Sequence, residues 1–568
     1  MNPKGQDTQS PVHSHGSVSA TSSVDKTSAQ DVDVTLENFH NVLTPQISRI
    51  SRISQPSLTR KITSIATAGT SNPNFEVNWE EDDPENPLNW SLTYKGILIG
   101  FLSWNTWVVI LYSTSYTAGL AEIAAEFNYS KTVVTLGLTL YLLGLAVGSI
   151  LLAPMSEMYG RKPVGIISLI IFALLIIPCG IGGSMEELLI LRFFGAIAGA
   201  AMISSAPGSV ADIVDDEHRA LAFSIWSIGP LNGPVFGPII GGFVTQYLGW
   251  RWTNWIMLIF SGVAIIFSCI MKETYAPVLL QQKAAKMRKE TDDPRWWSRY
   301  DQKEALLDVL KINLSRPFVM AVTEPICIFW NIYIPLVYAI LYLCFVAYPI
   351  VFREIRGWST GLTGLAFLGM GIGGLIIVVL EPYIRKMINS HKIDPETGKV
   401  SPEAMVSVVC ISAILAPVGE IWFAWTCAPA SIHWILPILA GIPFGAGNTG
   451  VFIYASNYLT HSYGVYAASA MAGNAVMRSI MGGVFPIIGP YMYRRLGPNW
   501  AGTLLAVLEV LIIPIPFVFY RHGYKIRMKS TLIRAMQEDK KKLEGKRRRL
   551  QTTNKESGVI AVSEKEEV

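Results

Sequence analysis

The chain has 568 residues, of which 51% are hydrophobic and only 15% charged, with a net charge of +4. A soluble globular chain carries about a quarter charged residues, and the apolar excess here is gathered into long runs. Two soluble domains of this size are excluded, and a polytopic α-helical membrane protein is implied.

The first ~75 residues are rich in Ser and Thr, poor in aromatics and without apolar periodicity, so they are expected to be disordered. No stretch there has the short apolar core and small-residue cleavage site of a signal peptide, so the first span must serve as its own insertion signal. A bilayer core about 30 Å thick needs roughly 20 apolar residues per helix. Runs of that kind fall at roughly 94–117, 133–154, 163–182, 186–208, 220–247 and 252–271. After a polar segment they resume at roughly 317–345, 360–380, 405–427, 434–458, 466–490 and 500–520. Twelve spans put both tails on one side. Cys179, Cys269, Cys327, Cys344, Cys410 and Cys427 all lie in or beside apolar runs and are expected to be small buried hydrophobes, not a disulfide framework or a metal site.

Lysine and arginine mark the side. The segment 272–316 holds ten of them, the C-terminal tail has a dense run from Arg521 to Arg549, and the loops after the second and eighth spans carry Arg161-Lys162 and Arg385-Lys386. The opposite loops hold few, chiefly Lys131, Arg353, Arg356, Arg494 and Arg495. By the positive-inside rule both tails and the central segment are cytoplasmic. The expected organisation is a disordered tail (1–90), a six-helix half (91–271), a cytoplasmic central loop (272–316), a second six-helix half (317–520) and a basic tail (521–568). A repeat supports the halves: 157–162 (EMYGRK) and 381–386 (EPYIRK) share four residues at a common offset of 224. Parallel halves around a midplane site are a transporter architecture.

The fifth span reads GPLNGPVFGPIIGG over 229–242. Three prolines at four-residue spacing would wreck a soluble helix. In a membrane such a helix survives where neighbours take up the freed carbonyls. Glycine at every fourth residue gives a flat stripe for close helix contact.

Gly233, Pro234, Gly237, Pro238, Gly241 and Gly242 match the antiporter signature of major facilitator drug exporters. The segment 153–162 (APMSEMYGRK) resembles that family's loop signature, departing at Ala153 and Glu157, and 191–196 (LRFFGA) keeps the arginine of its fourth-span pattern. The stretches 86–90 (NPLNW), 273–277 (ETYAP), 283–288 (KAAKMR), 316–318 (RPF), 357–359 (GWS) and 457–459 (NYL), with Asn474, Arg478 and Ser479, are similar to the fungal drug–proton antiporters, the polyamine-exporter branch nearest. His461 stands where relatives often carry Asp.

The resemblance implies the major facilitator fold, with spans 1, 4, 7 and 10 around a cavity and 3, 6, 9 and 12 outside. It also implies proton-driven export of drugs, polyamines or related metabolites across a fungal membrane, uptake by a proton symporter of the same fold being the alternative. Ionisable residues inside a bilayer are costly, and here they are Arg192, Glu324, Glu420, Arg478 and Glu509. Arg192 and Glu324 are expected at the cavity as the coupling charges, with Asn331 and Tyr338 on the face of Glu324, seven residues apart. Glu420 and Glu509 are expected to be structural or to snorkel. Glu157, Arg161 and Asp212 are expected to form a cytoplasmic lock, and Asn128 in a Asn-Tyr-Ser sequon is the expected glycosylation site. The two G-x-G-x-x-G matches at 369–374 and 445–450 sit inside apolar spans and carry no dinucleotide site. No cofactor, metal or nucleic acid is expected. The partners are a small-molecule substrate, protons and the lipid bilayer, for a monomer in the plasma membrane first and a vacuolar membrane second.

Overall fold

The computed structural model describes residues 75–80, 82–215, 218–301, 306–391 and 400–538. The Ser/Thr-rich tail up to 74 and the basic run 540–549 lie outside these residues. The described chain is helical almost throughout. The first half comprises α1 (Leu92–Phe127), α2 (Lys131–Tyr159), α3 (Arg161–Ile181), α4 (Met185–Ile213), α5 (Arg219–Leu248) and α6 (Arg251–Ile270). The second comprises α7 (Pro325–Ile355), α8 (Thr360–Val379), α9 (Glu403–Thr426), α10 (Ile435–Tyr463), α11 (Ala467–Leu496) and α12 (Pro498–Arg527).

Eleven of these helices are long and apolar enough to cross a membrane. The twelfth, α5, is 30 residues long, and its glycines and prolines dilute its apolar character. Polar turn residues start the helices where expected: Ser91, Ser130 and Ser184 accept hydrogen bonds from the backbone of Tyr94, Val133 and Glu187. Helices α3, α6, α9 and α12 leave large apolar side chains exposed, among them Ile167, Leu174, Ile259, Ile266, Ile411, Val418, Val507 and Leu511. In water such a surface would drive aggregation; against lipid it costs nothing. By contrast α7 is largely buried. Five of the six cysteines are buried, whereas Cys269 is exposed.

Gly160 between α2 and α3, the helix Glu381–Asn389 after α8, the central helix Ala276–Thr291 and the described residues before α1 and after α12 share one end of the bundle, here the basic end; the other is the far end. At the basic end two boundaries differ from expectation. Among the described residues from 75 to 90, assigned to the tail by composition, Val77, Asp83 and Pro87 are buried. Val77 donates to the carbonyl of Trp297, and Trp297 to that of Phe75. Val77, Leu280 and Ala284 are buried together, with Trp79 and Trp296 against them, on the central helix Ala276–Thr291. Asp83 pairs with Lys283. The seventh span also starts early: Leu306–Thr323 is already helical, and the chain breaks at Glu324, where Pro325 opens α7.

The two G-x-G-x-x-G segments face each other. A methyl group on Gly369 or Gly373 would strike the main chain of α10, and one on Gly445 the main chain of Met370. They are a packing seam between α8 and α10, as their place in apolar spans indicated.

Candidate functional site

The loop 2–3 signature builds a charge cluster at the basic end. Gly160 breaks the chain between α2 and α3 with φ +104°, a conformation only glycine adopts readily. The Glu273 carboxylate fills the space where a side chain at 160 would go. It accepts from the N–H groups of Arg161 and Lys162 at 3.0 Å, and from those of Thr274 and Tyr275 at 2.9 and 3.0 Å. An anion at the helix N-terminus is favoured by the helix dipole as well. Arg161 is thereby aimed at Asp212 of α4, Nε to Oδ2 2.8 Å, with its guanidinium 5.0 Å from the Tyr275 ring centre. Burial, with the nearby Glu157 charge, pushes the Tyr275 phenol up to about 12, so it stays protonated. Glu157 itself stands exposed close by, attracted by the Arg161 charge and repelled by that of Asp212, and among the described residues it forms no ion pair with Arg161. Of the expected three-membered lock, two members meet.

The second copy of the repeat shows why glycine matters. Ile384 stands where the first copy has Gly160, so Glu381–Asn389 continues as a helix and Arg385 folds back on Glu381 at 3.2 Å. Arg385 thus pairs within its own helix, whereas Arg161 pairs across to α4.

The α5 stripe lies flush on α1. Side chains added at Gly229, Gly237 and Gly241 would collide with the main chain or Oγ atoms of Ser103, Thr114 and Ser115, and one at Gly233 would press on Ile110. Gly242 instead faces the carbonyl of Thr360 on α8, so α5 is the plank between α1 and the other half. Pro230 deprives the carbonyl of Trp226 of its helical donor. The Ser103 hydroxyl takes that place at 3.0 Å, and Asn232 donates to Ile228 at 2.9 Å. The helix therefore runs through Pro230, Pro234 and Pro238 without a break.

The halves are bonded near the far end. Lys131 of α2 and Arg494 of α11 both pair with Glu354 at 3.0 Å. Gln246 of α5 accepts from Gly361 N of α8 at 2.9 Å, Ser113 of α1 meets Tyr342 of α7 at 3.3 Å, and Thr139 of α2 donates to Gly483 of α11 at 2.7 Å. A cavity of about 240 Å³ lies among these contacts, lined by Lys131, Pro238, Arg353 and Arg494. Toward the basic end, Leu306–Thr323 packs beside α2 and Glu157 stands exposed.

Arg192 does not face an open cavity, contrary to expectation. It is 1% exposed, donates to the carbonyls of Gly137, Tyr112 and Ser113, and stacks on Tyr112, Tyr116 and Tyr141. It clamps α4 to α1 and α2. Glu324 is also remote from it, at the opposite end of the bundle. Its carboxylate accepts from the Tyr463 hydroxyl at 3.3 Å and faces Ser530 and Leu532 of the segment after α12. Asn331 and Tyr338 follow along α7, as the spacing predicted, but each meets α11: Asn331 accepts from Asn474 at 3.0 Å, and Tyr338 lies under Arg478. Glu420 and Glu509 do not snorkel. Both are 2% exposed and carry carboxylate oxygens without a hydrogen bond. Asn128 is exposed at the far end in a left-handed turn.

Twelve membrane helices in two halves, bonded at one end around a central seam, define a membrane transporter. The sequence profile of the Major Facilitator Superfamily matches residues 97–486, and the chain belongs to that family. It is 39% identical over 466 residues to the major facilitator superfamily multidrug transporter mdrA of Aspergillus fumigatus, covering 81% of this chain and 76% of that one. It is 41% identical over 470 residues to the MFS-type efflux pump MFS2 of Trichophyton rubrum, covering 81% and 78%. Among solved structures, the proton:xylose symporter XylE aligns with a TM-score of 0.55 at 14% identity, over 76% of this chain and 97% of that one. That likeness is one of fold alone.

Proposed function

We propose that the chain is a proton-coupled antiporter that exports small organic molecules, drugs among them, across the plasma membrane by alternating access. The observation that carries the direction is the α5 stripe: the antiporter signature is intact and lies against α1 along its length. Relatives named as multidrug transporter and efflux pump, each about two-fifths identical, support the same reading. The basic end faces the cytoplasm, following the lysine and arginine bias. In this orientation the bonded far end is the extracellular gate, and substrate enters from the cytoplasm. Arg161 and Asp212 hold α3 to α4, and Glu157 is free to engage the opposite half when the basic end closes.

Glu324 couples through the hinge, not through a site shared with substrate. It is buried where α7 begins and holds the end of α10 and the segment after α12. Proton uptake there removes a charge from the joint between elements that must part. Glu324→Gln keeps the shape and the hydrogen bonds but abolishes titration. It is expected to export at a rate independent of external pH and to accumulate substrate no further than a passive pore. Export that still follows the gradient would move the coupling role to Glu420 or Glu509. The function itself is tested in cells lacking or overproducing the protein. Overproduction should lower drug accumulation, and an uncoupler should erase the difference; a difference untouched by the uncoupler would overturn proton coupling.

A further inference from the structure

Among the described residues, Arg478, near the middle of α11, has aromatic rings as neighbours and a buried Nε with no hydrogen bond. Its guanidinium lies over the ring of Tyr338 from α7 at 5.3 Å and that of Phe452 from α10 at 4.8 Å. Its Nε is buried without an acceptor, and among the described residues no carboxylate pairs with it. Two other arginines of the bundle are held by the main chain instead: Arg192 reaches three main-chain carbonyls, and so does Arg356, which donates to Cys427, Thr426 and Ile432. An ionised side chain at membrane depth marks a functional site by default. Aromatic faces compensate a guanidinium only in part.

Its position is equally telling. One turn along α11, Gly482 packs on Tyr338 and on Leu142 of the other half, and the next residue, Gly483, accepts from Thr139. One turn along α7 from Tyr338, Tyr342 meets Ser113. These are the contacts that join the halves, so Arg478, Tyr338 and Phe452 sit directly beneath the seam on its basic side. All three keep part of their surface exposed. Along the same walls, Asn474 Oδ1 and Asn448 Nδ2 are buried without partners.

We propose that Arg478, Tyr338 and Phe452 form the binding site for an organic anion, a carboxylate or enolate carried on a flat apolar body. This names the substrate class of the exporter and rests on the export reading above. The planar fork of Arg478 binds the anion through paired N–H groups. The flat body stacks against the two rings, which are already oriented by the arginine. A polycation is repelled from this position, so the similarity to polyamine exporters does not carry over to the substrate.

The test uses the full chain in nanodiscs, with 2-naphthoate and its neutral isostere 2-naphthamide as probes, and reconstituted vesicles for transport. The wild type is expected to bind naphthoate more tightly than naphthamide. Arg478→Gln is expected to lower naphthoate affinity by roughly tenfold or more while leaving naphthamide affinity and thermal stability unchanged, with Arg478→Lys between. Equal affinity for the two probes in the wild type overturns the proposal, as does a parallel loss of both in Arg478→Gln. Should that variant not fold, Phe452→Leu carries the test: it is expected to weaken naphthoate and naphthamide alike, since both stack their rings there, and unchanged affinity for both contradicts the site. A wild type that exports a cationic dye but never binds naphthoate removes the anion site and leaves the export reading standing. Naphthoate binding that needs Arg478, without gradient-driven movement of any probe, keeps the site and removes the export reading.

Discussion

Glu273 holds four backbone N–H groups with one carboxylate, and those groups begin α3 and the chain leading to the central helix. Removing the acceptor strands partly buried donors, which costs roughly 1–3 kcal/mol. Glu273→Ala is therefore expected to lower the melting temperature of the purified protein and to slow export, since Arg161 loses its aim at Asp212. An unchanged melting temperature would show that water replaces the carboxylate. In the sequence Glu273 only opens the ETYAP stretch, because the groups of α3 that it holds, Arg161 and Lys162, lie more than a hundred positions away. Ser103 was invisible for the same reason: its role is defined by the carbonyl of Trp226, freed by a proline on another helix. Arg161 and Asp212 were legible, since charges beside apolar spans seek each other. The orientation of Arg192 was not, since sequence gives a charge at a depth but not the carbonyls it reaches.

At the scale of elements, the α5 stripe gives a graded expectation. Overpacking a tight helix contact costs typically 1–3 kcal/mol, and the cost depends on whether the neighbour can yield. Gly229 and Gly241 face main-chain carbonyls of α1, which cannot move without moving the helix, whereas Gly233 faces the side chain of Ile110. Alanine at 229 or 241 is expected to cut export and stability sharply, and alanine at 233 to be the mildest. Equal effects at the three positions would mean that α1 and α5 do not stay in contact through the cycle. The strap of residues before α1 responds to pH. Burial raises the Asp83 carboxyl, but its bond to Lys283, the Glu85 N–H and the Lys283 charge outweigh it, so it titrates below the ordinary carboxylate range. A lowered folded-state value means that the contribution is complete above the unfolded value of about 3.9 and is lost as pH falls through the folded one. Protease cleavage of the strap should accelerate only below about pH 4, and Asp83→Asn should show the fast rate at neutral pH. A cleavage rate flat with pH in the wild type would contradict this. Composition hid the strap because residues before 90 are polar; only Val77, Trp79 and Phe75 signalled that part of it is packed.

For the whole molecule, the apolar runs alone announced twelve helices, and the structure places most of them close to the expected boundaries, with α1 running on to Phe127 and α7 shifted to Pro325–Ile355. The EMYGRK and EPYIRK repeat announced two halves, but not that Ile384 turns the second copy into an ordinary helix. What no run of residues could give is which end is bonded, because Lys131 meets Glu354 only when the halves dock. The central claim is that a proton gradient drives substrate out through this seam. It is tested most directly in proteoliposomes of known orientation, with an aromatic substrate added on the side of the basic end and a pH step imposed in each direction. The account predicts substrate moving from the basic end to the far end, against its own gradient, only when protons are more concentrated at the far end. Substrate moving in the same direction as the protons would make the protein an uptake symporter and contradict it.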